Sequence, residues 1–213
     1  MSPRALIFDF DGVLVDLEPL HMLAWQQVLA PLHLDFSKED YDTRYLGLND
    51  RDILAKCFQE ANKHLSPKLT QELIFKKELK TREIFSKDIP LIDGVQEFLE
   101  EVYPKYPLSI VTGALSGEVY FVLDRLHWRH YFPIVISAAD VQKGKPDPEG
   151  YLKAFEKIKG LKNWDPPLLK SDCLIFEDSQ YGIEAAKRAG IPFIEVKGTL
   201  RSHLSIFQNG DPL

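Results

Sequence analysis

The stretch Leu6-Ile7-Phe8-Asp9-Phe10-Asp11-Gly12-Val13-Leu14-Val15-Asp16 constrains this chain more than any other. An apolar run with strand character delivers Asp9 and Asp11 to its C-terminal end, where Gly12 lets the backbone turn sharply enough to approach a ligand. Alternation along a strand points both carboxylates to one side. Two carboxylates held so close repel one another, so the arrangement calls for a bound cation, a shared proton or a strong hydrogen-bond network. The same pattern also fits a strand that merely ends in a polar turn, and the rest of the chain has to decide between these readings.

After this strand, apolar positions recur at helical spacing for roughly seventy residues without a convincing strand, which reads as a helical insertion rather than a crossover helix. Leu20, Leu23, Ala24 and Val28 share one helix face, and Pro31 ends that helix. Ser37 is placed to start a second helix, Gly47-Leu48-Asn49-Asp50 to open a third through Phe58, and Ser66-Pro67 to begin a long one through Ile84. Beyond Pro90 the pattern changes to alternating strand and helix. Strands are predicted at Leu108–Val111, Ile134–Ile136, Cys173–Phe176 and Phe193–Val196, with helices at 94–102, 116–126, 149–158 and 182–189. The tail from Gly198 has little periodicity. The expected architecture is α/β: a Rossmann-like parallel sheet with helices on both faces, formed by residues 1–16 and 88–213, plus a small helical cap domain of residues 17–87.

In a parallel sheet every strand-to-helix loop lies on the side of Asp9 and Asp11, so the loops can be read together. Val111 runs into Thr112-Gly113-Ala114, where a hydroxyl and free amides before a helix suit a phosphate or an oxyanion; a plain helix cap at Thr112 is the competing reading. In Lys143-Gly144-Lys145-Pro146-Asp147-Pro148 two prolines stiffen the backbone around Lys145, with Lys143 as its competitor. Phe176 is followed by Glu177-Asp178-Ser179, which adds two carboxylates at the same edge, unless they only cap the next helix. Several carboxylates with no histidine or cysteine beside them form a hard oxygen site suited to Mg2+ rather than zinc.

Composition limits the partners. A net charge of −6 over 213 residues shows no basic surplus for a nucleic-acid groove. No apolar run is long enough to span a bilayer, and the N-terminus lacks the features of a signal peptide. Cys57 and Cys173 lie far apart without metal-ligand spacing, which suits a reduced compartment. A cytoplasmic monomer that binds neither nucleic acid nor membrane is expected.

Asp9-Phe10-Asp11-Gly12-Val13-Leu14-Val15-Asp16, Val111-Thr112-Gly113, Gly144-Lys145-Pro146-Asp147-Pro148 and Phe176-Glu177-Asp178-Ser179, in this order, resemble the haloacid dehalogenase-like hydrolase superfamily in its helical-cap subgroup, which includes phosphoglycolate phosphatases and beta-phosphoglucomutases. The resemblance implies that Asp9 is a nucleophile forming an aspartyl-phosphate and that Asp11 is the acid and base. It implies that Thr112, the Gly113 and Ala114 amides and Lys145 hold the phosphoryl group, and that Mg2+ is bound by Asp9, the Asp11 carbonyl and Asp178, with Glu177 as a ligand or just behind them. Asp11 favours phosphoryl transfer over dehalogenation, since displacement of halide needs no acid. His21, where the cap begins, is a candidate substrate contact. Mutases of this type have a lysine just before the cap-loop glycine and an arginine three residues after it. Here Leu46 and Asp50 stand in those places, with Arg44 and Arg51 displaced, which favours a phosphatase for a small phosphorylated metabolite, of the phosphoglycolate or sugar phosphate kind. A phosphomutase is the alternative, followed by a catalytically idle binding protein.

Overall fold

The computed structural model describes residues 3–45, 48 and 50–208. The chain divides into two compact units, one made of the segment through Asp16 with everything from Pro90 onward, the other of Leu17–Ile89.

The first strand, β1, is Ala5–Phe8. The helical unit then contains α1 (Glu18–Leu29), a short α2 (Lys38–Asp40) continued by a π turn at Tyr41–Tyr45, α3 (Asp50–Glu60) and α4 (Pro67–Phe85). Ser37 starts α2 through a reciprocal cap with Asp40, and Ser66 caps α4 by accepting the Leu69 N–H at 3.2 Å. The core of this unit is aromatic and aliphatic: Trp25, Leu29, Phe36, Tyr45, Leu54, Phe58 and Leu73 are buried together, with Phe36 stacked on Tyr45 at 4.9 Å. Of the segment from Leu46 to Asp50 that the sequence reads as a cap loop, Leu46, Gly47 and Asn49 lie outside the described residues.

The second unit continues with α5 (Val95–Val102), β2 (Leu108–Val111), α6 (Ser116–Arg125), β3 (Ile134–Ile136), α7 (Glu149–Lys159), β4 (Cys173–Glu177), α8 (Gln180–Ala189), β5 (Phe193–Glu195) and a short α9 (Ser205–Gln208). The five strands form one parallel sheet in the order β3-β2-β1-β4-β5. The expected α/β architecture is therefore present, and the strand order reverses direction at β1, where such sheets bind ligands beyond the strands' carboxyl ends.

The four strands β1 to β4 are buried along their whole length, so they are mainly apolar rather than alternating with exposed polar residues. Alternation still sorts the side chains. Ala5, Ile7, Cys173 and Ile175 pack with Tyr151, Ala154 and Ile158 of α7 and Ala185, Ala186 and Ala189 of α8. Phe8 and Phe176 stack on each other at 5.0 Å and meet Phe98 of α5 edge-on. Parity carries forward: Asp9 and Glu177 continue the series of Ile7 and Ile175, whose strands pair in register. Both carboxylates therefore emerge toward the first turns of α7 and α8.

The tail, which has little sequence periodicity, is tied down by polar contacts. Thr199 Oγ1 donates to the Asp93 carboxylate at 2.8 Å, Arg201 pairs with Asp93 and Glu97, and Phe207 packs edge-on against Phe98.

A candidate active site at the carboxyl edge of the sheet

The loop after β1 is tight. Gly12 donates its N–H to Val15 O at 2.7 Å, and Leu14 and Val15 both donate to Phe10 O. Gly12 has φ +80°, and a Cβ built on it would lie 2.1 Å from Asp178 Oδ2. No other residue satisfies both demands: the backbone conformation disfavours a side chain, and the space is taken by a carboxylate. Asp11 sits in this loop, partly buried.

Lys145 is the centre of the charge arrangement. Its Nζ lies 2.7 Å from Asp9 Oδ1 and 2.6 Å from Glu177 Oε2, over the ring of Tyr151. Burial alone would lower the pKa of this ammonium, but the two carboxylates raise it, so it stays charged. Burial pushes Asp9 up to about 7 from an ordinary 3.8, with the Glu177 charge adding to the shift and Lys145 offsetting part of it. Asp178 rises to about 6 through burial and the neighbouring Glu177 charge. Burial works against ionisation of Glu177 too, yet Lys145, Tyr151 and Ser179 together hold it below the usual carboxylate range.

Glu177 is fully buried, and its oxygens are engaged on both sides. Oε2 accepts from Lys145 and from the Tyr151 hydroxyl; Oε1 accepts the Ser179 N–H at 3.1 Å and O–H at 2.8 Å. Its carboxylate lies against Gly182, where a Cβ would stand 1.9 Å from Glu177 Cδ. Gly182→Ala should therefore cost roughly 1–3 kcal/mol of stability by overpacking. Because the atom that must move also holds Lys145, the same variant should lose activity; a thermal melt and an assay on one preparation check both.

Asp9, Glu177 and Asp178 each bring an oxygen within 4.8 Å of the others. Asp178 Oδ1 is buried without a hydrogen-bond partner. A hard divalent cation fits such a site, since oxygen donors converge there and one buried oxygen lacks a proton donor.

Thr112 is buried at the end of β2, and its N–H donates to Ile136 O at 2.9 Å. Its Oγ1 accepts the Ala114 N–H at 3.0 Å, while the helix that follows starts from Leu115 with no side-chain cap. Thr112 is thus not the helix cap, and the Ala114 amide is taken up locally, which leaves the Thr112 O–H free to donate. Gly113 is exposed beside it. A cavity of about 190 Å3 is lined by Thr112, Gly113, Gln142, Lys143, Lys145 and Tyr151, among others. The capping alternative for Glu177 and Asp178 also fails: Ser179 Oγ accepts the Gly182 N–H at 3.0 Å and starts α8.

Asp9, Asp11, Thr112, Gly113, Ala114, Lys145, Glu177 and Asp178 all belong to the sheet-bearing unit. His21 lies in the helical unit, on α1, edge-on to Phe85 at 5.6 Å. In that unit Arg44 pairs with Asp40 at 2.7 Å and Glu60 at 3.4 Å and lies over Tyr45, and Asp50 pairs with Lys77 at 3.3 Å. Sequence reasoning missed Tyr151. Its position on the buried face of α7, six residues after Lys145, was readable as core but not as a partner of Glu177.

The fold and the site define a doubly wound α/β protein with a carboxylate and lysine cluster at the carboxyl edge of its sheet. Residues 6–196 match the family model described as haloacid dehalogenase-like hydrolase. The chain is 35% identical over 191 residues to the phosphorylated carbohydrates phosphatase of Thermotoga maritima, covering 88% of this chain and 82% of that one. It is 30% identical over 202 residues to the fructose-1-phosphate phosphatase of Escherichia coli (90% and 95%) and 28% identical over 192 residues to the beta-phosphoglucomutase of Bacillus subtilis (88% and 80%). The chain belongs to the haloacid dehalogenase-like hydrolase family.

Proposed function

We propose that this protein is a Mg2+-dependent phosphatase for a small phosphorylated metabolite of the sugar phosphate kind, working through an aspartyl-phosphate on Asp9. It is a phosphoric monoester hydrolase. The observation that carries the reading is the Lys145 ammonium, 2.7 Å from a buried Asp9 carboxylate and lining the same cavity as Thr112 and Gly113.

Asp9 attacks phosphorus while Asp11 gives a proton to the departing ester oxygen; Asp11 then takes a proton from the water that cleaves the acyl phosphate. The Thr112 hydroxyl, the Gly113 amide and Lys145 hold the non-bridging oxygens, and Lys145 also offsets part of the cost of ionising the buried Asp9. Asp9, Asp178 and the Asp11 carbonyl would hold Mg2+, with Glu177 behind them as the anchor of Lys145. When bound, the cation offsets the charge of the carboxylates and of the phosphoryl oxygens.

Likeness to a phosphomutase makes isomerisation the second reading. Against it stand Asp50, where the mutases carry an arginine and which here holds Lys77, and Arg44, committed to Asp40 and Glu60. Purified protein with Mg2+ and a panel of sugar phosphates and phosphoglycolate should release inorganic phosphate from at least one compound. Isomer formed without free phosphate would establish the mutase instead, and silence across the panel would refute both.

A further inference from the structure

A chain of bonds runs from the end of β3 to the first turn of α7 and encloses the segment that carries Lys145. The Asp140 carboxylate accepts the Ser137 N–H at 2.8 Å and O–H at 2.7 Å, which closes the turn after β3. The Asp140 carbonyl accepts from Lys153 Nζ at 2.6 Å, and the same ammonium holds Glu149 Oε1 at 2.5 Å. Glu149, the first residue of α7, reaches back across the loop. Its carboxylate accepts the Gln142 N–H at 3.1 and 3.0 Å and the Lys143 N–H at 3.0 Å. Asp147 Oδ1 accepts the Glu149 N–H at 3.1 Å, and the Asp147 N–H donates to Gly144 O at 3.0 Å.

Side-chain packing does little for this segment. Gln142, Lys143 and Gly144 are exposed, and a Cβ on Gly144 would meet nothing within 4 Å. A loop with so few packed neighbours is held by its hydrogen bonds or not at all. Yet Lys145, one residue on, has to present its ammonium to Asp9 and Glu177 at once.

We propose that Glu149 is a positioning residue: by clamping the 142 and 143 amides to the start of α7, with Lys153 as counter-charge, it fixes the backbone from which Lys145 reaches the phosphoryl site. The inference rests on the phosphate-holding role proposed above for Lys145. Glu149 itself has no bond to the carboxylate cluster and acts only through the loop. Lys153, then the Gln142 and Lys143 amides, hold its carboxyl down at about 2, so the clamp stays ionised at any working pH. Glutamine would not replace it, because its NH2 would face a backbone donor and the bond to Lys153 would lose its charge.

Glu149→Ala should lower kcat on the order of ten- to a hundred-fold, the loss a displacement of about 1 Å causes at a reacting centre. It should also raise the Ki of inorganic phosphate several-fold, because Lys145 holds the phosphoryl oxygens in the ground state as well. Mere loss of folded enzyme would lower kcat and leave that Ki unchanged, so a Ki within two-fold of the parent value overturns the proposal. Amide hydrogen exchange supplies an arm free of turnover: protection at residues 142–145 should fall in Glu149→Ala while the strands keep theirs, and unchanged protection there would also overturn it. If the parent hydrolyses no phosphate ester, the proposed function fails, while the exchange result still decides whether Glu149 holds the loop. Glu149→Gln should fall between parent and alanine variant in both measurements.

Discussion

Asp9→Asn should abolish phosphate release, by on the order of 10⁴-fold or more, as removal of a covalent nucleophile does elsewhere. The same protein should be no less stable than its parent at neutral pH and above. The two expectations come from one environment. An amide has the shape of the carboxylate and can still accept from Lys145, so packing is kept, but it cannot attack phosphorus. Burial makes the ionised form of Asp9 costly, which lifts its pKa from 3.8 to about 7. Between those values the folded chain keeps a proton that the unfolded chain has lost. Stability from this group therefore falls as pH rises from about 4 to about 7. The asparagine variant has no such group, and Lys145 keeps Glu177 as its counter-charge. In metal-free protein the melting temperature of Asp9→Asn should thus gain on the parent as pH rises through that window, then run parallel to it. Activity surviving in the variant would refute the mechanism, and a melting temperature that falls behind the parent with rising pH would refute the account of Asp9 burial.

The residues legible in the sequence were those that a strand end alone can place. Asp9, Thr112 and the Glu177-Asp178 pair each follow a mainly apolar run of four residues, and in a parallel sheet such runs terminate at one edge. Lys145 was legible for a different reason, the two prolines that follow it within a loop on that edge. What could not be read was how the groups divide their hydrogen bonds. Glu177 and Asp178 look equivalent as adjacent carboxylates. The period of the strand sends Glu177 inward, against Gly182 and under Tyr151, while Asp178 turns toward Gly12 and keeps a buried oxygen without a partner. Two of those neighbours, Tyr151 and Gly12, stand far from the pair in sequence, Tyr151 by 26 residues. Ser179 was hidden in the same way, because a serine after two acids gives no sign of which of them it replaces as cap. The helical unit was legible in its helices, whose caps at Ser37 and Ser66 are local. Arg44 has a local partner in Asp40, but its second partner Glu60, and the Lys77 that pairs with Asp50, lie on helices whose packing no local pattern encodes.

Removal of divalent metal should lower turnover by on the order of 10³-fold, and the loss should be reversed by Mg2+. The supporting observation is a set of acids raised in pKa by burial and by one another, Asp9 to about 7 and Asp178 to about 6, with a single lysine among them. Without a cation these carboxyls hold protons into the neutral range. A bound cation favours their ionised forms and so lowers both pKa values, and metal binding must release protons in return. Apparent affinity for Mg2+ should then rise with pH up to about 7 and level off above it. The acid limb of the pH–rate profile, set by ionisation of Asp9, should lie near neutrality at low Mg2+ and shift to lower pH as Mg2+ is raised. Since the cation binds only the folded chain, Mg2+ should also raise the melting temperature, more at pH 8 than at pH 5.5. Asp178→Asn, which keeps the shape of the site but removes a charge from the metal set, should weaken all three responses together. Turnover indifferent to chelation, or an acid limb that stays in place as Mg2+ varies, would mean that Lys145 alone neutralises Asp9 and that the acidic cluster holds no metal during catalysis.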